Sequence, residues 1–129
     1  TLNPEITICY VSGAGTDSTE EGRLMWTRIK GKTENDLLKL PNKQSFMFRA
    51  GMIQPTQGLE NAYLMYKLVN PIIPLLRKIF PGIVSSLKEI GIAMIEATRS
   101  GYKSQIIEVN DIVQLAANNK EKKQTYEKL

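Results

Sequence analysis

A serine closes the first apolar run of the chain, Ile6-Thr7-Ile8-Cys9-Tyr10-Val11-Ser12-Gly13-Ala14-Gly15. Fourteen residues beyond it stands Trp26-Thr27-Arg28-Ile29-Lys30-Gly31. A strand that ends in a hydroxyl, then a helix with a lysine one turn past an aromatic residue, can bring a hydrogen-bonding group beside a positive charge. Residues four apart share a helix face, so Trp26 and Lys30 point the same way. The indole N–H of Trp26 is a donor only and has no accessible pKa, so it cannot shuttle a proton. The chain has no histidine, which excludes a Ser-His-Asp or Cys-His triad. With Cys9 as the single cysteine, nitrogen- and sulfur-ligated metals are disfavoured. Cys9 sits inside a predicted strand and reads as a small buried side chain rather than a nucleophile.

The elements that must position these groups follow from pattern and punctuation. Residues 5–12 are short, β-branched and apolar, closed by Gly13 and Gly15, which predicts a buried strand. Ser18-Thr19-Glu20-Glu21 has the spacing of a capping box and predicts a helix from there to about Leu40, stopped by Pro41. Met25, Ile29, Leu37 and Leu40 form its apolar stripe. Gly31 either lets this helix approach a backbone or a cofactor, or is merely tolerated. Residues 44–53 predict a second strand, turning at Ala50-Gly51. Residues 59–81 are apolar but broken by Pro71 and Pro74, which predicts short helices. For 63–80, a core, a substrate cap or a subunit interface is the first reading, and a membrane surface the second. Ser86-Leu87-Lys88-Glu89 is a second capping box; its helix places Leu87, Ile90, Gly91, Met94 and Thr98 on one face and stops at Gly101. A short strand at 104–109 and a final helix capped by Asn110 or Asp111 complete the series. Alternating strands and helices imply an α/β domain over residues 1–129, its first two strands parallel through a helical crossover.

A chain of 129 residues, 42% hydrophobic, suits one domain. The net charge of +4 owes much to Lys120, Lys122, Lys123 and Lys128, so residues 118–129 read as a basic helical tail. A nucleic-acid or anionic-lipid patch is the alternative, but no base-stacking aromatics interleave with those lysines, which gives nucleic-acid binding little support. The lone cysteine suits a reducing, cytoplasmic compartment. No signal peptide or uninterrupted apolar stretch of about 18 residues is present.

Taken in order, the serine at a strand end, the aromatic-x-x-x-Lys helix and Arg49-Ala50-Gly51-Met52-Ile53 after the next strand resemble the short-chain dehydrogenase/reductase superfamily. The likeness is to its atypical and extended members, relatives of NAD-dependent epimerases and dehydratases, and it covers residues 5 to about 118. It implies the C-terminal portion of a Rossmann-like doubly wound fold, with two or three mostly parallel strands and flanking helices. In that family a tyrosine transfers the substrate proton, its pKa lowered by the lysine, while the strand-end serine bonds the substrate oxygen. Ser12 and Lys30 match the serine and lysine, and Trp26 stands in the tyrosine position. Tyr10 is a conceivable substitute, but its place in the strand makes packing the better reading. Lys30 would also reach the ribose of NAD or NADP. Ala50, Gly51, Met52 and Ile53 would meet its nicotinamide end, with Ala50 replacing the usual proline; a plain strand-ending turn is the other reading. No G-x-G-x-x-G follows any strand, so the pyrophosphate-binding turn is absent and no cofactor is expected on this chain alone. The resemblance therefore implies an inactive C-terminal fragment of an oxidoreductase or epimerase-like protein acting on an unspecified small molecule. The alternatives are a non-catalytic dinucleotide-binding or regulatory module, and an interaction domain. The first strand is apolar enough to be central, so an open edge there predicts pairing into a homo-oligomer.

Overall fold

The computed structural model describes residues 3–54, 71–80 and 82–127, with side chains of the last helix through residue 119. The elements run β1 (Thr7–Gly13), α1 (Met25–Leu38), β2 (Gln44–Ala50), β3 (Met52–Gln54), α2 (Ile73–Ile79), β4 (Val84–Ser86), α3 (Leu87–Ser100), β5 (Ile106–Ile107) and α4 (Val109–Glu127). The fold is α/β with parallel strands, compatible with part of a Rossmann-like arrangement.

The main sheet has the order β1-β2-β5, and both of its pairings are parallel. Parallel neighbours cannot be joined by a tight turn, so α1 carries the chain back from the end of β1 to the start of β2. Side chains alternate across β2. Phe46, Phe48 and Ala50 face one way and form the core with Ile90, Ala93 and Ala97 of α3, Ile107 of β5, and Ile112 and Leu115 of α4. Ser45 and Arg49 face the other way and bond to Leu37 and Glu34 of α1. Helices thus lie on both faces. β3 and β4 form a separate parallel pair. Its start requires a glycine, since a Cβ on Gly51 would lie 2.0 Å from the Ile83 carbonyl oxygen.

Several expectations hold. The crossover is helical and the first strands are parallel. Ser86 and Glu89 make both halves of a capping box, and Arg77 pairs with Glu89. The helix stops at Gly101, whose φ of 71° suits a residue without a side chain. α2 is a short helix, while residues 59–70 and 81 of the predicted helical stretch lie outside the described residues.

Others are corrected. Ser18 to Glu21 does not open α1, which begins at Met25 with no side-chain cap. The Asp17 carboxylate takes the Thr19 N–H and hydroxyl and the Gly22 N–H, and Glu20 adopts φ 64°, so the segment is a local turn. The Met25, Ile29 and Leu40 stripe of α1 is exposed rather than buried. The sheet face it meets presents Ser12, Ser45 and Arg49, so the helix turns Thr27, Gly31 and Glu34 inward instead. On α3 the buried positions are Ile90, Ala93, Glu96 and Ala97, whereas Leu87, Gly91 and Thr98 are exposed. The third strand shrinks to Ile106–Ile107, and α4 starts at Val109, with Asp111 accepting the Glu108 N–H.

Tyr102 packs against the core and donates its hydroxyl to Asp111 at 2.6 Å. Burial, then the bond and charge of Asp111, push its phenol from 10.0 up to about 12. A raised folded pKa contributes stability that is whole below the unfolded value and lost as pH rises from 10 through 12. Tyr102→Phe is therefore expected to cost about 1 kcal/mol at pH 8, with the deficit relative to wild type closing by pH 12 in urea titrations. A deficit that stays constant across that window would contradict this account.

Candidate functional site

The end of β1 carries Tyr10 and Ser12 on the α1 face, by alternation, and Cys9 on the core face. In the parallel register Ser12 is the partner of Arg49 and Gly13 of Ala50, so the ends of β1 and β2 lie side by side. α1 then passes over this edge. The Trp26 ring lies against Gly13, 3.5 Å from where a Cβ would stand, and the Lys30 ammonium sits 5.9 Å from the centroid of the Tyr10 ring. Ser12 lies between these two contacts along the strand. Tyr10 is half-buried beneath Lys30, in keeping with its reading as a packed residue.

Beneath this surface is a polar network centred on Glu34, which is 0% exposed. The Ser12 hydroxyl donates to Glu34 Oε1 at 2.5 Å. Arg49 grips both carboxylate oxygens, Nη2 to Oε2 at 2.6 Å and Nε to each at 3.2 Å. The same guanidinium donates to Ser18 Oγ at 2.5 Å and to Glu108 Oε1 at 3.2 Å. The bonds to Glu34 raise the Arg49 pKa against an opposing effect of burial, and the Glu34 and Glu108 charges add to them. Ser12 has one proton and gives it to Glu34, so its remaining capacity is that of an acceptor.

The connection between β1 and α1 is tied down as well. Thr16 donates to the Gly13 carbonyl at 2.6 Å, and the Asp17 N–H donates to Thr27 O at 3.2 Å. Asn35 donates to the Ser18 carbonyl and to Glu20. The hydroxyl of Thr19, then the backbone donors around it, hold the Asp17 carboxyl below its ordinary value. Gly31 makes this docking possible, because a Cβ there would meet the Asp17 carbonyl oxygen at 1.8 Å. Of the two readings of Gly31, the backbone approach is the one observed.

For a dinucleotide, the chain offers Lys30, whose ammonium rests on the Tyr10 face and so keeps its hydrogen-bond donors for a ligand's hydroxyls. Ala50 and Gly51 follow at the adjacent strand end. The Cα of Gly51 is already approached by Ile83, and the Met52 N–H bonds the same Ile83 carbonyl at 2.8 Å. Lys30 fits the group, whereas Gly51 serves an internal strand contact. Ile53 packs against the core, and Met52 is exposed.

Glu34 and Glu108 were not anticipated from sequence. The signal for Glu34 was present: Thr27, Gly31 and Glu34 recur at helical spacing as a small-and-polar face. Along the outward face of α1, Glu20, Met25, Arg28, Ile29 and Lys32 line an open groove of ≈ 230 Å³. Among the described residues no group of three His, Cys, Asp or Glu side chains could hold a metal ion. None of their helices is long and apolar enough to cross a membrane. No protein-family model matches the chain, and no curated protein matches it.

Proposed function

We propose that this chain is the C-terminal portion of an atypical short-chain dehydrogenase/reductase-like protein, a cytoplasmic NAD(P)-dependent oxidoreductase or epimerase relative, and is inactive alone. The observation that carries the reading is the register of Gly13 beside Ala50, with Trp26 and Lys30 laid along the same edge. Two sequence segments that resemble this family thereby meet at the carboxyl end of a parallel sheet, where α/β proteins bind their ligands. In the parent, NAD or NADP would supply a hydride acceptor. Lys30 would bind ribose hydroxyls, the 50–53 backbone would line the nicotinamide end, and Ser12 would orient a small-molecule substrate. The chain alone would pair with copies of itself through the side of β1 that has no strand neighbour among the described residues.

A second reading, a non-catalytic dinucleotide-binding or regulatory module, is favoured by Trp26, which cannot move a proton. It is favoured also by Ser12, whose proton is engaged by Glu34. Calorimetric titration with NADH and NADPH tests both readings. The isolated chain is expected to bind neither at micromolar concentration, because its sequence holds no G-x-G-x-x-G turn to cradle the pyrophosphate. The full-length parent should bind one of them, and Lys30→Ala should weaken that binding at least about tenfold. Micromolar affinity in the isolated chain, or an unchanged affinity in the Lys30 variant, would overturn the assignment. In the parent, Trp26→Tyr separates the two readings: a gain of turnover favours the enzyme and silence the module.

A further inference from the structure

We propose that α2 and the turn after it form a peripheral docking surface for an anionic lipid bilayer. The helix is built inside out. Ile73 and Arg77, four residues apart, share the side that faces the protein: Ile73 is 1% exposed, and Arg77 donates to Glu89 of α3. Ile72, Leu75 and Ile79 fall together on the opposite side by the same spacing rule, and that side is open. The turn after the helix, closed by the Ile83 N–H on the Phe80 carbonyl at 3.1 Å, adds Phe80 and Ile83. All five side chains are between 46% and 57% exposed. Single apolar residues scattered on a surface need no explanation, but five neighbours in one short segment mark a contact surface.

Charge selects the occupant. From Asn61 to Lys88 the sequence contains no aspartate or glutamate, but it contains Lys67, Arg77, Lys78 and Lys88. Arg77 is engaged by Glu89, whereas Lys78 and Lys88 are exposed, and Lys78 flanks the open aliphatic stripe. Aliphatic and aromatic groups beside ammonium groups, with no carboxylate among them, match the two layers of an anionic membrane surface. The apolar side chains enter the acyl boundary, and the lysines reach the headgroup phosphates on flexible apolar stems. A second copy on the same face would set Lys78 and Lys88 near their own counterparts, which like-charge repulsion opposes. The contact is peripheral, since no helix among the described residues is long and apolar enough to cross a bilayer. It rests on this surface and not on the dinucleotide assignment.

Co-sedimentation of the 129-residue chain with lipid vesicles tests the proposal. The probe is vesicles of equal parts phosphatidylcholine and phosphatidylglycerol, compared with phosphatidylcholine alone. The chain is expected to partition into the anionic vesicles about tenfold or more above the neutral ones, through its exposed lysines. Raising the salt from about 0.1 M to about 0.5 M should release it. Leu75→Asp with Ile79→Asp, both at exposed positions, should lower the partition coefficient about tenfold or more and leave the circular dichroism unchanged. Lys78→Glu with Lys88→Glu should lower it as much by charge alone, which keeps the test open if the aspartates disturb α2. Ile29→Asp, at a comparably exposed aliphatic of α1 on the other face of the main sheet, should have no effect. No partition into anionic vesicles, equal partition into neutral ones, or partition that neither pair of substitutions weakens overturns the proposal. Retention on polyglutamate resin without partition into vesicles would also overturn it, and would give this face to an acidic protein instead. None of these results bears on the NADH and NADPH titrations.

Discussion

Replacing Arg49 by methionine is expected to lower the unfolding free energy by about 3–5 kcal/mol. The reason is what the substitution leaves behind. Glu34 is fully buried, and Arg49 is its only cationic partner among the described contacts, meeting both carboxylate oxygens. Without the guanidinium, the Glu34 carboxylate stays in a water-poor interior with the Ser12 hydroxyl as its one remaining partner among the described contacts. A domain of this size holds about 5–15 kcal/mol in all, so the variant sits near the edge of folding. The cycle is more informative than the single change. Glu34→Leu with Arg49→Met removes both charges and should recover most of the loss, since a buried ion pair is worth little more than apolar residues that fill the same space. Urea denaturation of the two single variants and the double variant supplies the coupling energy. A loss under about 1 kcal/mol in Arg49→Met would mean that Glu34 does not depend on the pair, contrary to the geometry.

Gly31→Ala is expected to destabilise by about 3 kcal/mol, although alanine is the better helix former by about 1 kcal/mol. The added methyl would lie 1.8 Å from the Asp17 carbonyl oxygen and 2.6 Å from its carbon. Both are backbone atoms, and that backbone is fixed by the Asp17 N–H to Thr27 O bond and by the Asp17 carboxylate turn. Either α1 lifts from the connection or the connection detaches from α1, and Trp26 and Lys30 move from the β1 edge in both cases. Gly91 is the control. It lies on an exposed position of α3, and no atom comes within 4 Å of where an alanine methyl would stand, so Gly91→Ala should stabilise by about 0.5–1 kcal/mol. Thermal or urea midpoints moving in opposite directions for the two variants would confirm the close approach. Midpoints moving together would refute it.

What the sequence disclosed and what it hid divide along the two faces of the sheet. Strand identity came through because Ile6 to Val11 and Phe46 to Phe48 are short, β-branched or aromatic runs bounded by turn residues. The Ser86–Glu89 box and the Gly101 stop were legible because caps depend on neighbours in the chain and on little else. The start of α1 was misread for the same kind of reason in reverse. Ser18 and Glu21 have the spacing of a cap, but Asp17 one residue earlier competes for the backbone donors and wins. The apolar stripe of α1 was misread because periodicity reports that a helix has two faces and says nothing of what each will meet. Here the sheet offered Ser12 and Arg49, and a helix face bearing Glu34 answers them better than one bearing Ile29. In the candidate site, Ser12, Lys30 and Ala50 to Ile53 were named through the family resemblance that their order and spacing carry. The link from Ser12 through Glu34 to Arg49 joins residues far apart in the chain, and only the register of β1 on β2 brings them together.

The unequal faces of the sheet also have a thermal consequence. The α3 and α4 side is closed by apolar surface, the kind of contact that carries a heat-capacity change and fades on cooling. The α1 side is closed by an ion pair and hydroxyl bonds, whose polar surface changes heat capacity weakly and in the opposite sense. As temperature falls, the grip on α3 and α4 slackens relative to that on α1, and on warming toward room temperature it strengthens again. One sheet therefore carries two layers that respond differently to temperature, and the layer holding Trp26 and Lys30 is the less sensitive to cold.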